Sequence, residues 1–383
     1  MTLQDILSNE ELRRHEFPVV RDKVFLAHAA VCALPRRVAD AIRQCAELGT
    51  GGDQELAVPL SQIQHARELG AQLIGAEAEE IAFVGPTSLA LSFVAAGLPW
   101  RKGDNVLVYF EDYPSNVYPW MALAERGVEV RLLNIRDYGR IRAIDVLGQV
   151  DEQTRLVALA SNHFVAGYRI DLAAIGARLR ERGILFCVDG IQTLGAFPTE
   201  AKHFDFLAAD AHKWLLGPCG AGVFYVRKSA QGNLRPIVYG WHNVRCADFV
   251  AQEKLVHPFD ARRYEAGSAN LVGLAGLQAS FELLLEIGIE NIAAELLRKR
   301  AFLVPALTEK GYTVLQADAP AGNASGIISF FKPGQDMAEL QRKLLDAKIE
   351  TSLRSDRNRQ QYIRLSPHFY NTDAELHRAL ELL

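Results

Sequence analysis

The feature that most constrains this chain is the alternation of apolar runs with helix-patterned stretches between residues 81 and 226. Apolar runs at 81–84, 105–110, 128–133, 156–160, 185–189, 206–209 and 223–226 read as strands. Stretches at 89–96, 117–126, 144–150 and 171–182 carry helical spacing. Strands joined through helices need crossover connections, which make neighbouring strands parallel. A parallel sheet is covered on both faces, which explains why these runs are almost continuously apolar. The expectation is an α/β large domain built on a mostly parallel sheet.

Polar residues recur at one place in this pattern. Tyr113 follows the strand at 105–110, Asn162 follows 156–160, Asp189 ends 185–189, and Lys213 lies just past 206–209. Open α/β sheets bind ligands outside the carboxyl ends of their strands. Gly85-Pro86-Thr87-Ser88 separates a strand from a helix. The free N–H groups and dipole of such a helix start favour a phosphate. A hydroxyl there also serves as a plain N-cap. An acid at one strand end and a lysine past the next, beside His212 and ahead of a Gly-rich turn, is the layout a pyridoxal 5'-phosphate site requires. The lysine amine forms a Schiff base with the cofactor aldehyde. The acid pairs with the protonated pyridine nitrogen and keeps the ring an electron sink.

The flanking segments read less regularly. A helix is expected at 9–16. Pro35 opens another at 36–48. Ser61-Gln62-Ile63-Gln64 matches a capping box and starts a helix to 74. Beyond 226 the segments 239–243 and 262–270 read as polar, turn-rich loops, before helices at 271–287 and 289–307. Strands at 312–315, 327–331 and 362–366, a helix at 337–348 and a capping box at Thr372-Asp373-Ala374-Glu375 make a smaller α+β unit. The expected division is an N-terminal arm at 1–20 joining the small domain, a cofactor-binding large domain at 21–284 and a small C-terminal domain at 285–383.

Bulk properties exclude several classes. A net charge of -4 gives no basic excess for nucleic acid. Cys32, Cys45, Cys187, Cys219 and Cys246 are odd in number and show no CxxC spacing, so neither a metal site nor a disulfide framework is expected, and a reduced cytoplasmic compartment fits. The N-terminus is polar with an early acid, unlike a signal peptide. The longest apolar stretch, 89–100, is broken by Ser92 and Gly97, so no membrane association is expected.

Four ordered motifs extend the reading: Val188-Asp189-Gly190-Ile191-Gln192; Asp210-Ala211-His212-Lys213 with Gly217-Pro218; Tyr264-Glu265-Ala266-Gly267-Ser268-Ala269-Asn270; and Arg364-Leu365-Ser366 with Tyr370-Asn371-Thr372. Together they resemble the class V aminotransferase family of pyridoxal-phosphate enzymes, which includes cysteine desulfurases, selenocysteine lyases, isopenicillin epimerase and kynureninase. The resemblance runs from Phe25 to the last helix and implies a fold-type I transferase fold. It implies that Lys213 carries the cofactor, that Asp189 holds the pyridine nitrogen, and that Gln192 and Asn162 lie near the phenolate oxygen. Thr87 and Ser88 would hold the phosphate, helped by Asp210 and His212. Tyr113 would stack on the ring. Ser268 would reach the phosphate of a partner subunit's site, implying a homodimer with shared sites. Arg364 would grip the substrate α-carboxylate, and His28 sits where the N-terminal segment approaches the substrate.

Two departures bear on the reaction. Tyr113 replaces the histidine usual in desulfurases. The loop at 352–361, where desulfurases carry a mobile sulfur-accepting cysteine, has none. Cys219, behind the lysine, is expected to be packed. The function implied is an enzyme acting on an amino acid whose amine displaces Lys213 in an external aldimine. C–S or β-elimination chemistry is placed ahead of transamination or epimerisation. The competing class is a non-catalytic binding protein on the same fold, against which the Asp189/Lys213 pair argues.

Overall fold

The computed structural model describes residues 1–383. Its thirteen strands are β1 (Val24–Phe25), β2 (Ile81–Phe83), β3 (Asn105–Val108), β4 (Glu129–Leu132), β5 (Thr154–Ala160), β6 (Leu185–Asp189), β7 (Phe206–Asp210), β8 (Gly222–Val226), β9 (Thr313–Val314), β10 (Ile328–Phe331), β11 (Ile349–Glu350), β12 (Ser352–Ser355) and β13 (Gln361–Leu365).

Seven of them form the central sheet in the order β2-β8-β7-β6-β5-β3-β4. β3 to β7 run parallel, while β8 runs antiparallel to both β7 and β2. The antiparallel member follows from its connection. Residues 211–221 turn back directly after the lysine loop, with no helix to carry the chain across the sheet.

Period-two alternation divides the strand side chains between two cores. Val106, Val108, Leu156, Ala158, Phe206 and Ala208 pack on one face with the helix Thr87–Gly97. Leu107, Val157, Leu159, Phe186, Val188 and Leu207 pack on the other with the helices Leu172–Glu181 and Leu271–Ile287. Each such fully buried aliphatic or aromatic side chain contributes roughly 1.5–3 kcal/mol. That rigidity holds the strand ends where the chemistry sits.

A second sheet, β12-β13-β10-β9, is antiparallel and is backed by the helices Ile289–Glu309, Met337–Asp346 and Asp373–Glu381. Val24 and Leu26 join its core, and β1 pairs in parallel with β11. The N-terminal arm is fastened to the C-terminal segment as well. Arg13 pairs with Glu375 at 2.8 Å, and Phe17 stacks on Tyr370 at 4.0 Å.

Several expectations change at element ends. The helix at 61–74 starts at Leu60 behind Pro59, with no side-chain cap, so Ser61 does not form the capping box. Asn9 caps the helix Glu10–Glu16, but a further helix, Leu3–Ser8, precedes it, opened by a Thr2/Asp5 capping box. The stretch at 117–126 splits into a short α-helix, Tyr118–Met121, and a 3-10 turn, Ala122–Arg126. Thr372 and Glu375 form the expected capping box. Among the described residues no single helix is long and apolar enough to cross a membrane.

Candidate active site

The carboxyl ends of β3, β5, β6 and β7 open onto one region, and the small sheet brings β12 and β13 against it. Lys213 lies three residues past β7 and is 6% exposed. Its Nζ stands 5.2 Å from the centre of the Tyr113 ring, which in turn meets Phe164 edge-on. Burial pushes the Lys213 amine down to about 8; Asp189 opposes this, and the Arg364 and Arg354 charges reinforce it. A buried lysine with a lowered pKa is a nucleophile at neutral pH.

Asp189 ends β6, 2% exposed, with one carboxylate oxygen accepting the Ile191 N–H. Burial raises its pKa, partly offset by that N–H and by Lys213. Such a carboxylate is relieved by a cationic partner, and a protonated pyridine nitrogen is one. Asn162, fully buried at the end of β5, has a side-chain oxygen with no hydrogen-bond partner. Its Nδ2 donates to the Gln192 carbonyl at 3.4 Å, so the unmet end is an acceptor offered to a ligand.

The helix Thr87–Gly97 starts at Thr87, with Pro86 rather than a hydroxyl residue at its N-cap. The Leu89 and Ala90 N–H groups close on the Pro86 carbonyl, and those of Thr87 and Ser88 head the helix. The Thr87 hydroxyl accepts the Asp210 N–H at 2.9 Å, tying the helix start to the end of β7. The Asp210 carboxylate accepts from the Ala211 N–H, the Gly220 N–H and His212 Nδ1, the last at 2.8 Å. Burial alone would raise this carboxyl, but the His212 and Gly220 hydrogen bonds outweigh it and hold it below the usual carboxylate range. Asp210 therefore spends its oxygens orienting His212 and the loop, and leaves the helix amides and His212 to face an anion. These features fit pyridoxal 5'-phosphate: an amine, an acid for the ring nitrogen, an unmet polar group and a helix start beside His212.

Arg364 lies on β13, 1% exposed. It donates to the Phe164 carbonyl and weakly to Ser352 Oγ, its Nε has no partner, and no acid pairs with it among the described residues. A buried guanidinium without an anion is costly and calls for one.

Three residues are placed differently from the rest. Gln192 donates to the Ala29 carbonyl and accepts from the Trp214 indole at 2.8 Å, so both ends of its amide are occupied by protein. His28 donates from Nδ1 to the Ser366 carbonyl and accepts at Nε2 from the Tyr370 hydroxyl at 2.7 Å, so neither ring nitrogen is free. Ser268 is exposed and donates to Glu55, with no hydrogen bond to another candidate residue. Cys219, expected to be packed, is exposed.

The structure also adds residues. Asp112, past β3, is 4% exposed and accepts the Ala160 N–H and the Asn116 amide, while its second oxygen has no partner. Burial, helped by Asp189, pushes it up to about 7. Arg354 on β12 faces the same region. Its signal was in the sequence, two residues after Ser352, but it was masked by Arg357 and Arg359 in a polar stretch.

A family model, Aminotransferase class-V, matches residues 24–378. The chain belongs to the class V aminotransferase family. It is an enzyme of that family, and the family's cofactor is pyridoxal 5'-phosphate. It is 31% identical to a probable cysteine desulfurase of Methanothermobacter thermautotrophicus, over 97% of this chain and 96% of that one. The apo cysteine desulfurase of Thermococcus onnurineus NA1 superposes with a TM-score of 0.87 at 24% identity, covering 97% and 96% of the two chains. The cystine C–S lyase C-DES, solved with its product cysteine persulfide, gives 0.86 at 22% identity, covering 95% and 98%. These superpositions establish the fold-type I architecture for this class V enzyme.

Proposed function

We propose that this class V enzyme is a C–S lyase. It would cleave the Cβ–S bond of a cysteine-derived amino acid by β-elimination and release the sulfur on a small molecule rather than on a cysteine of its own. The observation that carries the proposal is the connection between β12 and β13. It is a five-residue turn, 356–360, closed by the Asp356 and Gln360 backbone and by the Asp356–Tyr362 hydrogen bond at 2.9 Å. It contains Asp, Arg, Asn, Arg and Gln, with no cysteine. The cystine C–S lyase among the similar structures has cysteine persulfide as its reaction product.

In this reading the cofactor, when bound, supplies the electron sink that stabilises charge at the substrate Cα. Asp189 would keep the proton on the pyridine nitrogen. Thr87, Ser88 and His212 would hold the phosphate, and Asn162 would border the phenolate side, with Gln192 holding Trp214 behind it. Tyr113 covers Lys213. Arg364 takes the α-carboxylate with charge-assisted hydrogen bonds and fixes the Cα–H bond toward Lys213. Lys213, neutral in a useful fraction near pH 8, removes that proton. The thiolate leaves, and water converts the remaining fragment to pyruvate and ammonia. His28 holds the N-terminal segment against Tyr370 at the pocket's edge.

A homodimer is part of the proposal. Phe249, Val250, Leu255 and Phe259 are 78%, 61%, 63% and 94% exposed, an apolar stretch suited to a second copy. Ser268, exposed beyond that stretch, would exchange its hydrogen bond to Glu55 for a partner subunit's phosphate. The test is a panel of amino acids on the cofactor-loaded protein, scoring pyruvate, ammonia and sulfide. Pyruvate from cysteine or cystine is the expected result. Keto-acid exchange without pyruvate would replace the lyase reading with transamination.

A further inference from the structure

The lyase reading leaves one side of the pocket unexplained. β12 and β13 are antiparallel, with Ser352 opposite Arg364 and Arg354 opposite Tyr362. Opposed residues share a face of the sheet, and so do residues two apart on one strand. Arg354 and Arg364 are therefore diagonal neighbours on one face, a separation of about 7–8 Å. That face is the one from which Arg364 reaches the Phe164 carbonyl, and Phe164 packs on Tyr113 over Lys213.

Neither arginine has an acid. Among the described residues no salt bridge involves Arg354, whose guanidinium donates only to the carbonyl of its neighbour Leu353. The two nearby acids are committed elsewhere. Asp356 accepts from Tyr362 and the Gln360 N–H, and Glu111 lies beside Arg357 rather than Arg354. One guanidinium is enough for one α-carboxylate, since the planar fork meets both oxygens at once. Two half-buried or buried guanidiniums, side by side and without a carboxylate between them, are poised for two anions. Their charges also lower the Lys213 pKa, which places both within electrostatic reach of the reacting amine.

We propose that Arg354 is a second anion clamp beside Arg364, and that the substrate is an α-amino acid carrying a further carboxylate on its sulfur-bearing side chain. This rests on the lyase reading. The side-chain carboxylate is held by Arg354 while Arg364 holds the α-carboxylate, so the Cβ–S bond lies between two anchored ends near Lys213. For S-carboxymethyl-L-cysteine the overall reaction takes up one water and gives pyruvate, ammonia and thioglycolate. The Cα proton and the Cβ–S bond are lost, the electron pair leaves on sulfur, and no oxidant or reductant is needed.

The experiment compares S-carboxymethyl-L-cysteine with its neutral isostere S-carbamoylmethyl-L-cysteine on the holoenzyme. It reads the visible-absorbance change as a dissociation constant and pyruvate release separately. The wild type is expected to bind the carboxymethyl compound about tenfold or more tightly. Arg354→Gln is expected to bring the carboxymethyl compound down to the level of the carbamoylmethyl one, and Arg354→Lys to keep part of the difference. Arg364→Gln weakens both compounds. Equal binding of the two by wild type, or an equal loss for both in Arg354→Gln, would overturn the second clamp. A binding preference without pyruvate would sink the lyase reading and leave the clamp standing. Pyruvate from both compounds without a preference would do the reverse. Binding of neither would overturn the second clamp, and the lyase reading would then rest on pyruvate from cysteine or cystine.

Discussion

Lys213 was legible because chemistry and position agree: a lysine past a strand end, one strand from an acid. Its environment was not legible, since burial and the Arg354 and Arg364 charges come from β12 and β13, about 140 residues later in the chain. With the amine pushed down to about 8, roughly a tenth of it is neutral at pH 7, against well under a thousandth for an ordinary lysine. The rate of cofactor uptake by the cofactor-free protein, followed by visible absorbance, is therefore expected to rise with pH through a midpoint near 8. A midpoint near 10 would contradict the burial argument. Arg364→Gln is expected to lower kcat/KM for amino-acid substrates by roughly 30- to 150-fold, the loss of about 2–3 kcal/mol of charge-assisted hydrogen bonding. An unchanged kcat/KM would remove Arg364 from the carboxylate site. Gln192 and His28 show the limit at this scale. A motif gives a residue its neighbourhood, but Trp214, Tyr370 and Ser366 decide where its polar atoms point, and those contacts are made through the fold.

At the scale of elements, strand existence was read well and strand direction less so. Apolar runs fix which residues are buried, but β8 turned antiparallel because of the tight return at 211–221. Helix ends were read where a capping side chain decides them, as at Thr372. They were misread at Leu60, where a proline starts the helix instead. The hairpin from Asn162 to Arg169 shows how tightly one element holds the site. Asn162 and Arg169 bridge, and Gly167 has φ +71 with the Ile327 carbonyl oxygen 2.4 Å from where a Cβ would stand. Gly167→Ala is expected to force that hairpin off β10. The left-handed backbone alone costs about 1–2 kcal/mol, so a lower Tm and faster cofactor loss on dialysis are the outcome to look for. Wild-type Tm and retention would mean the close approach is absorbed without moving Asn162.

At the scale of the molecule, the two sheets close around buried polar groups, and pH should loosen them from below. Burial pushes His28 and His163 down to about 4, against the ordinary 6.5 they regain on unfolding. Between those values the unfolded chain binds more protons than the folded one, so stability is full above about 6.5 and falls as pH falls toward 4. Thermal melts of the cofactor-free protein are expected to show a lower Tm near pH 5 than near pH 7, and a flat profile would contradict the burial of these histidines. The exposed Phe249–Phe259 stretch is expected to lie between two copies. Phe259→Asp should then shift the sedimenting species toward monomer, and an unchanged mass would leave that surface without its proposed partner. A single chain's sequence carries little of this, because an apolar residue reads alike whether a core or a second subunit covers it.

The central claim is that sulfur leaves on a small molecule and never rests on the protein. The most direct measurement is intact-protein mass spectrometry of the holoenzyme after a single turnover with L-cysteine, alongside pyruvate and alanine in the filtrate. The prediction is stoichiometric pyruvate, with sulfide in the filtrate and the protein mass unchanged. A protein carrying one extra sulfur on a cysteine, with alanine in place of pyruvate, would contradict it.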